Sequence, residues 1–289
     1  MNKVFNSKIL LFGEYGIIKG SRGLAVPFDA FFGVLDFGDA NHSLEEFISY
    51  VKRSSILKKE LNIDKLESDY LHGLFFSSTI PQGFGLGSSG ALCAAIFSEY
   101  SLNYSREQEF TKSTLGFIQE LLSIMESFFH GTSSGLDPLI CFLNKPLLIK
   151  SNDDINIIEE PVIKEMGDFY LLDSGIQRKT SPLVHQFLKD CSDEKYFSGI
   201  KKYMNLTNTI IDNLLSGQKE NIHSNFSEIS RLQYLYFEAM IPKKLKEVWL
   251  TGLESKDYYL KLCGAGGGGY FIVHTVKNKT PLNFNLIRL

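Results

Sequence analysis

A chain of 289 residues, 44% hydrophobic and 22% charged, has the makeup of a soluble globular protein large enough for one large or two smaller domains. A net charge of −3 supplies no electrostatic footprint for nucleic acid or for an anionic membrane surface. The four cysteines, Cys93, Cys141, Cys191 and Cys263, are far apart and lie mostly in apolar runs, which predicts buried thiols in a reducing compartment. No Cys-x-x-Cys or His-x-x-x-His pair occurs, so a structural zinc site is not expected. The apolar run Ile9-Leu10-Leu11-Phe12 is too short for a signal peptide, and nothing later approaches the roughly 18 apolar residues of a membrane span. A cytoplasmic protein is the expectation.

In chain order, strands are predicted at Lys8 to Phe12, Leu24 to Pro27 and Phe31 to Phe37, with Gly13, Gly16, Gly20 and Gly23 marking turns. Ser43 to Leu66 reads as helical. Leu74 to Thr79 reads as a strand feeding a glycine-rich loop, and Ser89 to Tyr100 as the helix that follows the loop. Thr111 to Phe129 is a second strong helix, with Leu115, Ile118, Leu121, Leu122, Met125, Phe128 and Phe129 on one broad face and Gly131 as its stop. Pro146 to Ile149 and Phe169 to Leu172 read as strands around the polar link Ser151 to Glu160. From Ser181 to Leu253 the pattern is almost wholly helical, broken near Gly217 and Pro242. Two strands, Tyr258 to Leu262 and Tyr270 to His274, close the chain around a second glycine run. Strands and helices intersperse without regular βαβ alternation, which favours an α+β fold.

The segment Pro81-Gln82-Gly83-Phe84-Gly85-Leu86-Gly87-Ser88-Ser89-Gly90 carries the most chemistry. Alternate glycines keep side chains away and let backbone N–H groups converge, and two hydroxyls follow where an Ala-rich helix begins. A helix start has unpaired N–H groups and the positive end of the macrodipole, so the arrangement suits a nucleotide's phosphates. The same residues satisfy a dinucleotide fingerprint, but no strand directly precedes the first glycine, and Glu107 and Glu109 lie in a polar stretch that reads as a helix start. No Gly-Lys-Ser/Thr follows, which excludes a Walker loop.

The second glycine run, Gly264-Ala265-Gly266-Gly267-Gly268-Gly269, is costly in backbone entropy unless something approaches it closely; packing against the first loop is expected. Glu126 lies at the edge of its helix's apolar face, a placement that favours a partly buried carboxylate with a cation or strong hydrogen-bond partner. Asp137 follows His130-Gly131-Thr132-Ser133-Ser134-Gly135-Leu136 and precedes Pro138, which is also a plain helix start with Asp as cap. Gly131 to Gly135 matches a nucleophile elbow, and Asp173 and His185 supply a hydrolase chain order. A long helix rather than a strand precedes it, which argues against that chemistry. Lys8 begins the first strand and points toward whatever the turn Gly13-Glu14-Tyr15-Gly16 surrounds.

Together these elements resemble the GHMP kinase superfamily. Lys8 to Tyr15 is similar to its first motif, Pro81 to Ala91 to its second and Lys261 to Gly269 to its third, so the resemblance spans nearly the whole chain. The spacing from Glu126 to Asp137, and Asp173-Ser174-Gly175-Ile176-Gln177-Arg178-Lys179-Thr180, are most similar to the mevalonate kinases. Departures include Phe5-Asn6-Ser7 before the first lysine, Tyr15 for a histidine, Ser133 for a proline and Pro138 for an asparagine.

The resemblance implies a two-domain α+β fold. Residues 1–160 would form a ribosomal-protein-S5-domain-2-like domain and residues 161–289 a ferredoxin-like one, with the site between them. It implies ATP and Mg²⁺ as cofactors, with the phosphates on Gly83, Gly85, Leu86, Gly87, Ser88, Ser89 and Gly90, and the metal between Glu126 and Ser89. Asp137 would be the catalytic base and Lys8 its cationic partner. Substrate contacts would come from Glu14, Tyr15, Arg178, Thr180, Gly264, Ala265 and Gly266. The implied partner is a small alcohol such as mevalonate, with no nucleic acid and no membrane, and a homodimer is left open. Phosphomevalonate kinase, a related decarboxylase and a non-catalytic sensor on the same fold are the alternatives.

Overall fold

The computed structural model describes residues 3–38, 44–151, 154–158, 168–178, 180–218, 221–276, 279–281 and 284–289, with backbone only at 180 and 181. Among them are two antiparallel sheets with helices packed against them. The first sheet contains β1 (Phe5–Phe12), β2 (Gly23–Phe37), β3 (Leu74–Ser78), β4 (Leu147–Ser151) and β5 (Asp154–Ile157), in the order β1-β2-β4-β5 with β3 on the far half of β2. The two strands expected at 24–27 and 31–37 are one long strand. Across from β1, the register jumps from Ser7–Phe28 to Asn6–Phe32, so the extra residues of β2 are absorbed as a bulge rather than a turn.

The expected helical stretch at 43–66 resolves into α1 (Glu45–Arg53), α2 (Leu57–Glu60) and α3 (Ile63–Leu71). The next two, α4 (Ser88–Tyr100) and α5 (Lys112–His130), agree with the sequence pattern to within a residue or so at each end. Because α4 is apolar all round, it is an interior helix, covered by β1, β2, α5 and α6 (Leu136–Leu143). Small residues let α4 and α6 meet at their starts: a side chain at Gly90 would sit 3.0 Å from the Asp137 carbonyl carbon and the Pro138 nitrogen. At the other end of α6, the Arg106 guanidinium donates to the carbonyls of Phe142 (2.6 Å) and Cys141 (3.2 Å). A cation there complements the helix dipole.

The second sheet holds β6 (Phe169–Asp173), β7 (Tyr258–Leu262), β8 (Tyr270–Thr275) and β9 (Leu286–Arg288), in the order β7-β8-β6-β9. The helical stretch after Ser181 is four helices: α7 (Thr180–Asp190), α8 (Glu194–Leu215), α9 (Ile222–Tyr236) and α10 (Lys243–Ser255). The unexpected break between α7 and α8 has a local cause. The Asp193 side chain caps α8 by accepting from the Tyr196 N–H at 2.7 Å. β5 lies within the stretch read as a polar link, and β9 was not anticipated. The boundary expected at 160/161 falls in 159–167, outside the described residues. Among the described residues no helix is long and apolar enough to cross a membrane.

Candidate active site

The site forms where the start of α4, the start of α6 and both glycine loops meet. Lys8, in the middle of β1, donates its backbone N–H to the Leu86 carbonyl at 2.9 Å, which ties the first loop to the strand. Leu86 itself is buried and anchors the loop to the core. Gly83, Gly85 and Gly87 all adopt φ near +80° (80, 81 and 79), and Gly87 caps α4 with no side-chain hydrogen bond. The first-turn N–H groups of α4 therefore receive no side-chain acceptor from the cap, and they point into the loop.

The second glycine loop does pack on the first. Gly269 has φ +70, and a Cβ there would lie 2.4 Å from the Phe84 carbonyl oxygen. The loop is pinned from behind, where Gly269 N–H donates to the Ile176 carbonyl (2.7 Å) and Gly267 N–H to that of Met240 (2.6 Å). Arg178 stands between the two loops. Its N–H donates to the Gly83 carbonyl (3.0 Å), and its guanidinium fills the space beside Gly85 and Gly264, where added Cβ atoms would come within 2.2 and 2.6 Å.

Across the mouth, the Lys8 ammonium is 2.8 Å from the Asp137 carboxylate, with the Lys8 side chain 7% exposed and that of Asp137 37%. Asp137 is not the cap of α6, as the sequence suggested. Gly135 caps the helix in a left-handed conformation, and Asp137 sits in the first turn, where a carboxylate suits the dipole. Beside it, Glu126 is 4% exposed. Burial, reinforced by the nearby Asp137 charge, pushes its carboxyl up to about 7, against the pull of Ser133, Lys8 and Ser89. Ser89 donates to Glu126 Oε1 at 3.2 Å and contacts His130 Nε2 at 3.0 Å. Since the one Ser89 proton is directed at Glu126, that contact requires His130 to donate from Nε2. Ser133 donates to the other oxygen, Glu126 Oε2.

At Gly85, Gly87 and Gly90 a Cβ would strike Arg178, Lys8 and the start of α6, so glycine at these positions lets two cations and a second helix start close around the beginning of α4. Ser89 Oγ and Glu126 are hard oxygen donors converging on one point, a donor set for Mg²⁺ held by one carboxylate and its phosphate ligand rather than by an all-protein cage. Among the described residues no cluster of three or more His, Cys, Asp or Glu side chains that could hold a metal occurs.

Two expected substrate contacts are placed differently. Glu14, expected beside the substrate, is 1% exposed, and its carboxylate pairs with Lys261 and accepts from Tyr203 OH at 3.0 Å, so it belongs to the interior between the sheets. Tyr15 is buried among Phe187 and Phe237, and its hydroxyl donates to the Ala265 carbonyl at 2.6 Å. It fastens the second glycine loop rather than presenting a free hydroxyl. Gly266 lies against the Met240 carbonyl, where a Cβ would come within 2.5 Å. Thr180 opens α7, and its side chain is outside the described residues. Sequence reasoning missed His130, Ser133 and Lys261 as participants. For Lys261 the signal was a lysine in mid-strand among apolar neighbours, and for Ser133 it was the departure from proline.

Residues 49–145 match the family model for the GHMP kinases N terminal domain. A mevalonate kinase of Pyrococcus abyssi is 24% identical, over 91% of this chain and 85% of its own. Among solved structures, the Methanococcus jannaschii mevalonate kinase superposes with a TM-score of 0.65 at 18% identity, covering 100% of this chain and 97% of its own. The Streptococcus pneumoniae phosphomevalonate kinase in complex with phosphomevalonate and AMPPNP gives 0.61 at 15%, covering 94% and 91%. With the two-sheet α+β architecture and both glycine loops in place, residues 49–145 match the GHMP kinases N terminal domain and the chain as a whole has the fold of these solved kinases.

Proposed function

We propose that the protein transfers the γ-phosphoryl group of ATP to the primary hydroxyl of mevalonate. The observation that carries this reading is the Lys8–Asp137 pair at 2.8 Å, set at the start of α6 and beside the start of α4. A carboxylate with an ammonium partner at the edge of a phosphate cradle is suited to take a proton from an acceptor hydroxyl. The acceptor oxygen then bonds to the γ-phosphorus as the bond to the β,γ-bridging oxygen breaks, and ADP leaves with that oxygen.

Lys8 holds Asp137 in one orientation and offers positive charge where the alkoxide develops. The backbone N–H groups of the 83–90 loop and the start of α4 bind and orient the phosphates, and Arg178 adds a cation between the two loops. Ser89 and Glu126 would hold Mg²⁺, which when bound offsets charge on the phosphate oxygens. The preference for mevalonate over phosphomevalonate rests on the Glu126 to Asp137 spacing and the His130-to-Asp137 loop, which follow the mevalonate kinase pattern.

The test is ADP release from Mg·ATP with mevalonate, phosphomevalonate, homoserine or galactose as acceptor. Turnover on mevalonate alone supports the reading. Turnover on phosphomevalonate keeps the chemistry and changes the acceptor, and ATP binding without turnover on any acceptor points to a sensor.

A further inference from the structure

We propose that Ser133 is a positioning residue that divides the two oxygens of Glu126, reserving one for the cation and so selecting Mg²⁺ over larger divalent ions. The proposal rests on the nucleotide reading of the site given above.

Glu126 is buried, and each of its oxygens has a different partner. Oε1 accepts from Ser89, on the α4 start that faces the phosphate cradle, whereas Oε2 accepts from Ser133, on the loop between α5 and α6. Ser133 itself has little freedom. Its carbonyl accepts from Ser123 Oγ at 2.6 Å, and its hydroxyl oxygen accepts the Gly135 N–H at 3.0 Å, which leaves its one proton for Glu126. The next carbonyl, Ser134 O, accepts from Gln119 Nε2 at 2.7 Å, so the loop is strapped to α5 at two successive residues. The hydroxyl is held on the side of the carboxylate away from Ser89.

A carboxylate pinned in this way offers a cation one oxygen. Mg²⁺ accepts single carboxylate oxygens in a near-octahedral shell, while Ca²⁺ is larger and readily takes a carboxylate through both oxygens. Removing the Ser133 hydroxyl frees Oε2 and lets Glu126 turn, which weakens the preorganised single-oxygen site and opens a two-oxygen one.

The experiment is calorimetric titration of the full-length protein with ADP in the presence of Mg²⁺ and, separately, Ca²⁺, for wild type, Ser133→Ala and Ser133→Thr. Ser133→Ala is expected to weaken Mg·ADP binding roughly tenfold, the scale of one hydrogen bond to a charged group, and to lower the Mg²⁺ to Ca²⁺ preference by at least about threefold. Ser133→Thr, which keeps a hydroxyl, should restore both. Melting of each variant separates loss of fold from loss of binding, and if the alanine variant does not fold, Ser133→Cys, which keeps the size and loses the hydroxyl donor, replaces it with the same expectation. Unchanged Mg·ADP affinity and unchanged ion preference in the hydroxyl-free variant would overturn the role of Ser133 alone. Failure of the wild type to bind Mg·ADP would instead overturn the nucleotide reading.

Discussion

Lys261 and Glu14 stand 247 residues apart and form an ion pair in which neither side chain is exposed. The other two ammonium protons go to the carbonyls of Leu11 (2.6 Å) and Leu262 (2.7 Å). Glu14 Oε2 accepts from Tyr203, whose oxygen accepts from Gln233 Nε2 at 3.2 Å, and Gln233 Oε1 accepts the Leu262 N–H at 2.7 Å. The ring is closed, with its donors and acceptors matched. Lys261 lies three residues before Gly264 and Glu14 six after Lys8, so the ring sets the second glycine loop relative to β1.

Breaking this pair on one side should be severe. Lys261→Met leaves a buried carboxylate without its cation and two carbonyls without a donor, for which a cost of about 3–5 kcal/mol is expected. The double variant Lys261→Met, Glu14→Gln removes the uncompensated charge and should recover part of that loss. Denaturant unfolding of the wild type and the two variants measures both quantities. A single-variant loss below about 1 kcal/mol would mean that the ring is not structural.

Asp137→Asn keeps shape but removes the carboxylate facing Lys8, the proton acceptor of the proposed reaction. Loss of a general base costs about 10² to 10⁴ in rate, and it should fall on kcat with Mg·ATP binding retained. Steady-state ADP release and nucleotide titration separate the two. Wild-type turnover in this variant would remove Asp137 from the mechanism.

The contact between the glycine loops gives a sharper structural test. Gly269→Ala adds a Cβ at φ +70 and drives it to 2.4 Å from the Phe84 carbonyl oxygen, so the first glycine loop must move. Gly217→Ala meets comparable φ strain (+72) with nothing within 4 Å. Each should lose about 1–3 kcal/mol from strain. Only Gly269→Ala should also shrink the rise in melting temperature that Mg·ADP produces. Equal ligand-induced shifts in the two variants would argue against coupling between the loops.

Much of this site could be read from local pattern. Glycine spacing, the Ala-rich α4 and the broad apolar face of α5 are properties of contiguous residues, and they indicated the two loops, the start of α4 and the burial of Glu126 in advance. Lys8 and Asp137 came through resemblance, and the structure sets them 2.8 Å apart. Glu14 and Tyr15 were misplaced because their partners, Lys261 and Ala265, are about as distant in sequence as the chain allows. No local period reports such a pairing. β5 escaped because Asp154 and Asn156 make it polar, although Ile155 and Ile157 alternate with them and pair with Ile149 and Leu147.

The last prediction concerns pH and a site remote from the chemistry. On β8, His274 stacks on Phe169 with ring centroids 4.4 Å apart, and its Nε2 lies 3.1 Å from Nδ1 of His223 on α9. Burial, and then the neighbouring His223, depress its pKa to about 4, with Asp168 pulling weakly the other way. The unfolded chain takes up this proton near the ordinary value of about 6.5, whereas the fold resists it. The resulting stability is fully present above about pH 6.5 and is lost as pH falls from there toward 4. By about pH 4.5 the loss should be on the order of 2 kcal/mol. His274→Phe keeps an aromatic ring against Phe169 and removes the titration, so its unfolding free energy should fall less over the same range. Urea denaturation at about pH 7, 5.5 and 4.5 compares the slopes. Parallel slopes for wild type and variant would show that His274 does not carry the acid sensitivity.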